Sequence, residues 1–176
     1  MSATLIHDAS PLALVDLSSS ARYGCKGPGA ADWIAHWQLP VPLQPNTAVS
    51  FAGGIVLRLG LTEFLVDGDA DVIAAMQAAA RPAGVYPVLR EDCCIGLSGA
   101  CVHDLLRQVC NVDFVGVAPG IVVLTSMAGV SVTVLCDYAA QPSFRIWCDG
   151  TFGVYLSQTL TQIAAELSGP NATAPC

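Results

Sequence analysis

An internal repeat is the feature of this sequence that most constrains its fold. The stretch that begins at Tyr23 recurs 72 residues later, in the stretch that begins at Ile95. In both copies the pattern indicates the end of a strand, a turn rich in glycine and then an amphipathic helix. The matched positions are Gly24 with Gly96, Gly27 with Gly99, Asp32 with Asp104, Trp33 with Leu105, Ile34 with Leu106 and Trp37 with Val109. A chain built in this way is expected to contain two similarly folded halves.

Each copy continues with apolar strands and a closing helix. The segments predicted as strands are rich in Val, Ile, Leu and Thr, and a proline follows shortly after each predicted helix. The predicted elements are strands over 54–59 and 63–66 and a helix over 71–80 in the first half, and strands within 121–136 and 144–147 and a helix over 154–167 in the second. Asp67-Gly68 and Asp149-Gly150 are interpreted as the same strand-to-helix corner in the two halves.

These elements predict an α+β protein. It is expected to be a tandem duplication of a ferredoxin-like α+β unit, in which helices pack on a mainly antiparallel sheet. Residues 1–85 are assigned to the first half and residues 86–176 to the second. Because 176 residues are enough to bury a sizeable core, the halves are expected to form one compact domain, which can be counted as a single unit over 20–168.

The composition excludes some partners and favours others. Hydrophobic residues make up 53% of the chain and charged residues only 12%, about half the charged fraction of an ordinary soluble domain. Other chains are therefore expected to cover part of the surface, since exposed apolar patches mark interaction sites. The net charge is -7 and Lys26 is the single lysine, which argues against binding to nucleic acid or to anionic membranes.

Two further patterns bear on location. The run 114–136 carries no charge and is long enough to span a bilayer. Prolines and glycines interrupt it, however, so it predicts a buried hairpin with a tight connection at Met127-Ala128-Gly129. The N-terminal stretch has no basic region ahead of its apolar residues, so it does not resemble a secretory signal. The protein is expected in the cytoplasm, with its eight cysteines reduced.

No catalytic, cofactor-binding or metal-binding residue is assigned from the sequence. The run Gly24-x-x-Gly27-x-Gly29 does not have the spacing of a dinucleotide loop, and Ser98 lacks one spacer of a nucleophile elbow. The cysteines show no Cys-x-x-Cys spacing, and they are interpreted as small core residues. The remaining candidates are the histidines His7, His36 and His103, interpreted as non-catalytic, and the carboxylates Asp67, Asp69 and Asp71, interpreted as a capped helix start.

Four groups of motifs follow one another between Arg22 and Leu167. They are Arg22-Tyr23-Gly24-Cys25-Lys26-Gly27-Pro28-Gly29-Ala30, Leu57-Arg58-Leu59-Gly60 with Glu63-Phe64-Leu65, Leu97-Ser98-Gly99, and Phe144-Arg145-Ile146-Trp147. In this order and spacing the chain resembles the gamma subunit of heterotetrameric sarcosine oxidase. That family is related to the folate-binding part of the glycine-cleavage T-protein, which implies a duplicated α+β fold.

The resemblance implies a function in a complex. Such a complex oxidises sarcosine to glycine, passes the one-carbon unit to tetrahydrofolate and produces hydrogen peroxide. FAD, FMN, NAD, zinc and tetrahydrofolate are expected on the other subunits, of alpha, beta and delta type, and none on this chain. The catalytic aspartate of the T-protein has no counterpart here, and the departure is clearest around 46–53. The chain is therefore expected to be a non-catalytic subunit that self-associates when isolated.

Two alternatives stay open. The chain could belong to an N-methylglutamate dehydrogenase-type complex, or it could be a stand-alone, aminomethyltransferase-like protein of one-carbon metabolism that still binds a folate. The sequence does not name the N-methyl amino acid, because no residue that contacts a substrate is identified in it.

Overall fold

The computed structural model describes residues 4–9, 12–137 and 142–168. The strands are β1 (Thr4–Ala9), β2 (Leu12–Asp16), β3 (Ala21–Lys26), β4 (Thr47–Phe51), β5 (Gly54–Arg58), β6 (Glu63–Gly68), β7 (Tyr86–Val88), β8 (Asp92–Ser98), β9 (Val122–Met127), β10 (Val130–Cys136) and β11 (Ser143–Asp149). The helices are α1 (Ala30–His36), α2 (Ala70–Ala78), α3 (Val102–Val109) and α4 (Gly153–Ser168), with a 3-10 turn at Gly150–Phe152. The chain divides into two units at Ser18/Ser19 and Glu91/Asp92.

The first unit, Ser19–Glu91, is an antiparallel sheet with two helices. Its strand order is β4-β5-β6-β3-β7. The core between the sheet and helices α1 and α2 is apolar and contains Trp33, Ile34, Phe64 and Met76, all buried. Burial of these side chains is the main contribution to the stability of the unit.

The second unit combines the N-terminal strands with the chain from Asp92 onward. Its sheet is also antiparallel, in the order β1-β2-β8-β11-β10-β9. Helices α3 and α4 contribute Leu105, Leu106, Leu156 and Leu160 to its core, and Phe144 of β11 is fully buried there. The α+β class and the mainly antiparallel sheets predicted from the sequence are confirmed.

The two units have the same internal topology. Each follows the order β-α-β-β-β-α, and in each sheet the first strand of the repeat pairs with the last, as β3 with β6 and β8 with β11. On its other side, the first strand of each repeat pairs with a strand that comes just before the other repeat. β2, which precedes β3, pairs with β8, and β7, which precedes β8, pairs with β3. The units therefore each complete their sheet with a strand that the sequence places beside the other copy.

Equivalent residues can be followed through the whole repeat. Helices α1 and α3 begin at Ala30 and Val102, 72 residues apart, and the N–H of each donates to the carbonyl of Gly27 or Gly99. The spacing later grows through insertions in the connections. It is 74 residues between Asn46 and Gly120, 78 between Arg58 and Cys136, and 80 between Phe64 and Phe144.

The register corrects one interpretation made from the sequence. Asp67 pairs with Arg22, and Trp147 pairs with Cys94, so Asp67 and Trp147 are equivalent. The counterpart of Asp149 is therefore Asp69, and the two Asp-Gly pairs are offset by two residues. Asp69 and Asp149 share one function: each caps the helical segment that follows its strand.

The structural division of the chain differs from the one assigned from the sequence. The main boundary lies at Glu91/Asp92 instead of 85/86, because β7 pairs with β3. The N-terminal strands, assigned to the first half, belong to the sheet of the second unit, because β2 pairs with β8. The fourth repeat strand also comes before the second helix, whereas in a βαββαβ unit it follows that helix.

The predicted hairpin is formed by β9 and β10. Ala128 and Gly129 connect them with φ of 49° and 82°, as a two-residue turn with two positive φ angles requires. β9 lies at the edge of its sheet, and only Val122 and Met127 at its two ends are buried, so the hairpin is only partly buried. Within the described residues, no helix is long and apolar enough to cross a membrane.

Candidate functional site

Backbone amides of the glycine turn between β3 and α1 donate hydrogen bonds to backbone carbonyls of other segments. The N–H of Gly27 donates to the carbonyl of Thr62 at 3.0 Å, and that of Gly29 donates to the carbonyl of Gly84 at 3.1 Å. Gly27 has a φ of +117°, and a Cβ added there would lie 2.3 Å from the carbonyl oxygen of Gly84. The turn therefore needs glycine for its conformation, and these two amides are not available to a phosphate.

The three carboxylates at the end of β6 have separate structural functions. Asp67 forms an ion pair with Arg22, Asp69 accepts hydrogen bonds from the N–H groups of Asp71 and Val72, and Asp71 lies in the first turn of α2. The capped helix start predicted from the sequence is confirmed for Asp69. Within the described part of the chain, no group of three His, Cys, Asp or Glu side chains could hold a metal ion.

The histidines do not form a catalytic set with Ser98. They lie on three elements: His7 on β1, His36 on α1 and His103 on α3. His36 is exposed and stacks on the ring of Trp33, with centroids 5.7 Å and planes 10° apart. Ser98 is the last residue of β8, and the hydrogen bonds seen among the described residues do not join it to a histidine. A nucleophile and base within hydrogen-bonding reach are therefore not assembled there.

Burial favours the protonated form of three cysteine thiols. It raises the pKa of Cys25 to about 12, that of Cys136 to about 11 and that of Cys148 to about 12. Since the thiolate is the reactive form, these side chains act as core residues at neutral pH. Cys101 is disulfide-bonded, so the expectation that all eight cysteines are reduced is wrong. Among the described residues, the free thiols are Cys25, Cys93, Cys94, Cys110, Cys136 and Cys148.

A buried ion pair is the strongest electrostatic feature of the first unit. Arg22 Nε donates to Asp67 Oδ2 at 2.9 Å, and both side chains are almost fully buried. The equivalent positions in the second unit hold Cys94 and Trp147, which are buried and apolar. Because the same fold forms there without charges, the ion pair is a specialisation of the first unit and not a requirement of the topology.

The ion pair borders a cleft of about 580 Å³. β3, the end of α2 and residues 87–91 form the walls, and Gln77 Nε2 donates to the carbonyl of Arg22 at 3.2 Å. Arg90 Nη2 donates to Glu63 Oε1 at 2.7 Å, while the buried Arg90 Nε has no partner in the described part of the chain. The guanidinium groups of Arg22 and Arg90 are paired with carboxylates. Arg81, Tyr23 and Glu91 also line the cleft, and its lining includes no serine, threonine, cysteine or histidine.

Sequence reasoning did not single out these arginines, although a signal was present. Arg22 lies among the buried residues of β3 and Arg58 ends the apolar strand β5, and both lie in the motifs that carried the family resemblance. A charge in such a setting needs a partner, and Asp67 at the end of an apolar strand is a candidate visible in the sequence. The pairing itself depends on the register of β3 and β6, which only the structure gives.

Large apolar side chains are exposed in both units. This agrees with the low charge content, which leaves few polar groups to cover the surface. The most exposed are Leu43, Leu61, Leu89 and Val154, with Leu5, Tyr86, Val115, Leu124, Phe152 and Tyr155 about half exposed.

Comparison with known proteins gives matches among solved structures. A chain of heterotetrameric sarcosine oxidase from Corynebacterium sp. U-96, in complex with pyrrole 2-carboxylate, superposes with a TM-score of 0.77 at 20% identity. The match covers 95% of this chain and 90% of that chain. No family model and no curated protein sequence matches.

The glycine cleavage system aminomethyltransferase T from Bartonella henselae also matches, with a TM-score of 0.67 at 14% identity. That match covers 82% of this chain but 44% of the aminomethyltransferase, so this chain spans less than half of its length. The chain thus has the fold shared by heterotetrameric sarcosine oxidase and the glycine-cleavage T-protein, which confirms at the level of fold the resemblance found in the motifs.

Proposed function

We propose that this chain is a non-catalytic, gamma-type subunit of a sarcosine oxidase complex. The observation that carries the proposal is the whole-chain correspondence of fold, which covers 95% of this chain and 90% of a chain of heterotetrameric sarcosine oxidase. The two chains are of nearly equal length and share one fold from end to end, as two versions of one subunit would.

The chemistry of the described residues favours a non-catalytic function. The carboxylates after β6 hold an ion pair and a helix cap, and the buried thiols are protonated at neutral pH. An enzyme of this size would need an acid, a base or a nucleophile directed into a cleft. The cleft beside Arg22 is lined by three arginines, Glu91 and Tyr23, and its lining includes no serine, threonine, cysteine or histidine.

The surface is also that of a protein with partners. Obligate interfaces are more apolar than ordinary surfaces and carry fewer charges. A chain with 12% charged residues and several exposed leucines and valines has this character. The proposed partners are flavin-carrying subunits of alpha and beta type and a smaller delta-type subunit, in the cytoplasm.

In the proposed complex the other subunits perform the reaction. They would hold FAD, FMN, NAD, zinc and tetrahydrofolate, oxidise sarcosine to glycine, transfer the one-carbon unit to tetrahydrofolate and release hydrogen peroxide. This chain would support their assembly. An N-methylglutamate dehydrogenase-type complex would use it in the same way, so the activity assay should compare sarcosine with N-methylglutamate.

The purified chain tests the proposal. We expect it to show no flavin absorbance, no sarcosine-dependent peroxide formation and no saturable binding of tetrahydrofolate in calorimetry. Turnover or a flavin spectrum from the isolated chain would contradict the proposal. Stoichiometric binding of tetrahydrofolate would instead favour a stand-alone one-carbon protein.

A further inference from the structure

One guanidinium group ties together two surface loops of the first unit. Arg58 Nη1 donates to the carbonyls of Pro42 and Leu43 at 3.2 and 2.8 Å, and Nη2 donates to the carbonyl of Leu61 at 2.7 Å. The group also lies 5.4 Å from the centre of the Phe64 ring. Because several bonds and a ring contact fix the group, the backbones at Leu43 and Leu61 are held in one arrangement.

The contacts of Arg58 with the two loops are called the clamp. The second unit shows that the fold does not need them. Cys136 is the residue equivalent to Arg58, since each pairs with a buried phenylalanine of the next strand. The carbonyl of Arg58 accepts a hydrogen bond from the N–H of Asn46, and the carbonyl of Cys136 accepts one from the N–H of Gly120. Both donor residues have a positive φ. A cysteine side chain cannot bond to three carbonyl groups, so the same topology forms without the clamp. The clamp therefore has a purpose beyond the stability of the topology.

The clamp holds two leucine side chains in solvent. Leu43 is 91% exposed and Leu61 is 77% exposed, the first and third highest values among the large apolar residues described. Leaving leucine in water forgoes the stabilisation that burial would give. Fixing both backbones removes the entropy that a mobile loop would lose on binding. Exposed apolar groups on a rigid support are the arrangement expected of anchors in an interface.

An open strand edge begins beside these leucines. Among the strands that the structure describes, β4 pairs only with β5 and ends its sheet, and it starts at Thr47, shortly after Leu43. The pair that flanks the two-residue loop Ala52-Gly53 is hydrogen-bonded, and such pairs alternate along the strands. Ala48 and Ser50 therefore direct their N–H and C=O groups away from β5. These groups match those of another strand.

The stretch from Gln38 to Thr62 contains only one charged residue, which is Arg58. Its guanidinium already bonds to backbone carbonyls. Natural proteins usually protect an open edge with lysine, proline or a bulge, but β4 carries neither lysine nor proline within its length. An uncharged edge flanked by apolar anchors fits an uncharged, apolar partner strand.

We propose that Leu43, Leu61 and the outer edge of β4, together called the Leu43 surface, bind an extended apolar strand of a partner subunit, which adds to the sheet beside β4. The inference rests on the proposed function, since it requires a partner in a hetero-oligomer. A second copy of this chain is the competing occupant. Each copy carries a net charge of -7, so like-charge repulsion makes that contact weaker than one with an uncharged partner strand.

The test uses this chain co-expressed with the flavin-carrying subunits of a heterotetrameric sarcosine oxidase. We expect Leu43→Asp with Leu61→Asp to weaken binding to the purified partner by more than about tenfold. Gln158→Asp places the same charge at an exposed polar residue of α4, and it should leave binding unchanged. Urea unfolding of each variant checks that the fold is intact.

A second pair of variants tests the strand addition itself. Ser50→Pro removes one outward N–H and should also weaken binding, whereas Ser50→Ala keeps that N–H and should not. Full binding by the leucine variant would overturn the proposal while leaving the proposed function standing. Failure of the unmodified chain to bind the flavin subunits would overturn both. Loss of self-association alone, with partner binding intact, would assign the surface to a second copy.

Discussion

Arg22 shows how one residue can be specialised within a repeated fold. It forms a buried ion pair with Asp67, where the second unit has Cys94 and Trp147. Asp67→Ala would leave a buried guanidinium without its carboxylate and should lower the free energy of unfolding by about 3 to 5 kcal/mol. Urea denaturation measures this loss.

A matched control for that prediction is Glu63→Ala. It removes a similar ion pair, with Arg90, whose glutamate side chain is 39% exposed, and it should cost less than about 1 kcal/mol. Replacing Arg22 and Asp67 together by Met and Leu should recover much of the loss, because the second unit is apolar there. Equal effects of the two single alanine substitutions would contradict the assigned burial.

The buried thiols predict how stability depends on pH. Cys25, Cys136 and Cys148 have pKa values raised by burial from an ordinary 9.0 to about 12, 11 and 12. Since the folded state holds these protons more tightly, the stabilisation is complete below pH 9 and is lost as pH rises toward these values. The urea concentration at the midpoint of unfolding should therefore decrease as the pH rises from about 9 to about 11. It should decrease less in the Cys25→Ala variant. A midpoint independent of pH over this range would contradict the assignment.

At the scale of elements, the corrected repeat gives Asp69 and Asp149 the same function at the start of a helical segment. Asp69→Ala should destabilise the protein by about 1 kcal/mol, because two N–H groups of α2 lose their acceptor. Asp71→Ala, which changes only a charge in the first turn, should have an effect of a few tenths of a kcal/mol. Thermal unfolding compares the two, and a larger effect at Asp71 would argue against the cap.

The glycine turns give a second prediction at this scale. Gly99 has a φ of +129°, as its counterpart Gly27 has +117°, and a branched side chain is strained there. Gly99→Val should lower the free energy of unfolding by about 1 to 3 kcal/mol. Gly116→Val is the control, because a Cβ at Gly116 meets no atom within 4 Å. Similar unfolding temperatures for both variants would count against the turn.

The elements also show where sequence reasoning succeeds. The strands near 54 and 63 and all four helices were predicted because each carries its own apolar pattern or glycine and proline boundary. β1, β2, β4 and β7 were not predicted. β2 and β7 each pair with a strand that is distant in the sequence or belongs to the neighbouring copy of the repeat, and β4 is a short edge strand without strong alternation. Local composition carries no information about such partners.

The same reasoning applies to the candidate sites. The sequence predicted the helix cap at Asp69 because capping depends on neighbouring residues. It could not reveal the clamp of Arg58, whose acceptors at Leu43 and Leu61 lie in different loops. Contacts between loops depend on the register of β4, β5 and β6, which follows from the fold as a whole.

At the scale of the whole molecule, a low charge content goes together with exposed apolar side chains. The protein has the fold of a chain from heterotetrameric sarcosine oxidase. Obligate interfaces typically bury more than about 2,000 Å² and are hydrophobic. The isolated chain should therefore self-associate or be poorly soluble, and co-expression with its partners should correct this.

The mass and the activity of the co-expressed assembly test whether this chain is a non-catalytic subunit of a sarcosine oxidase complex. Light scattering coupled to gel filtration should show this chain in a stoichiometric complex with the flavin-carrying subunits. That complex should form hydrogen peroxide from sarcosine, whereas the chain alone should be colourless and inactive. A monomeric chain that stays separate from those subunits, or that turns over sarcosine by itself, would contradict the account.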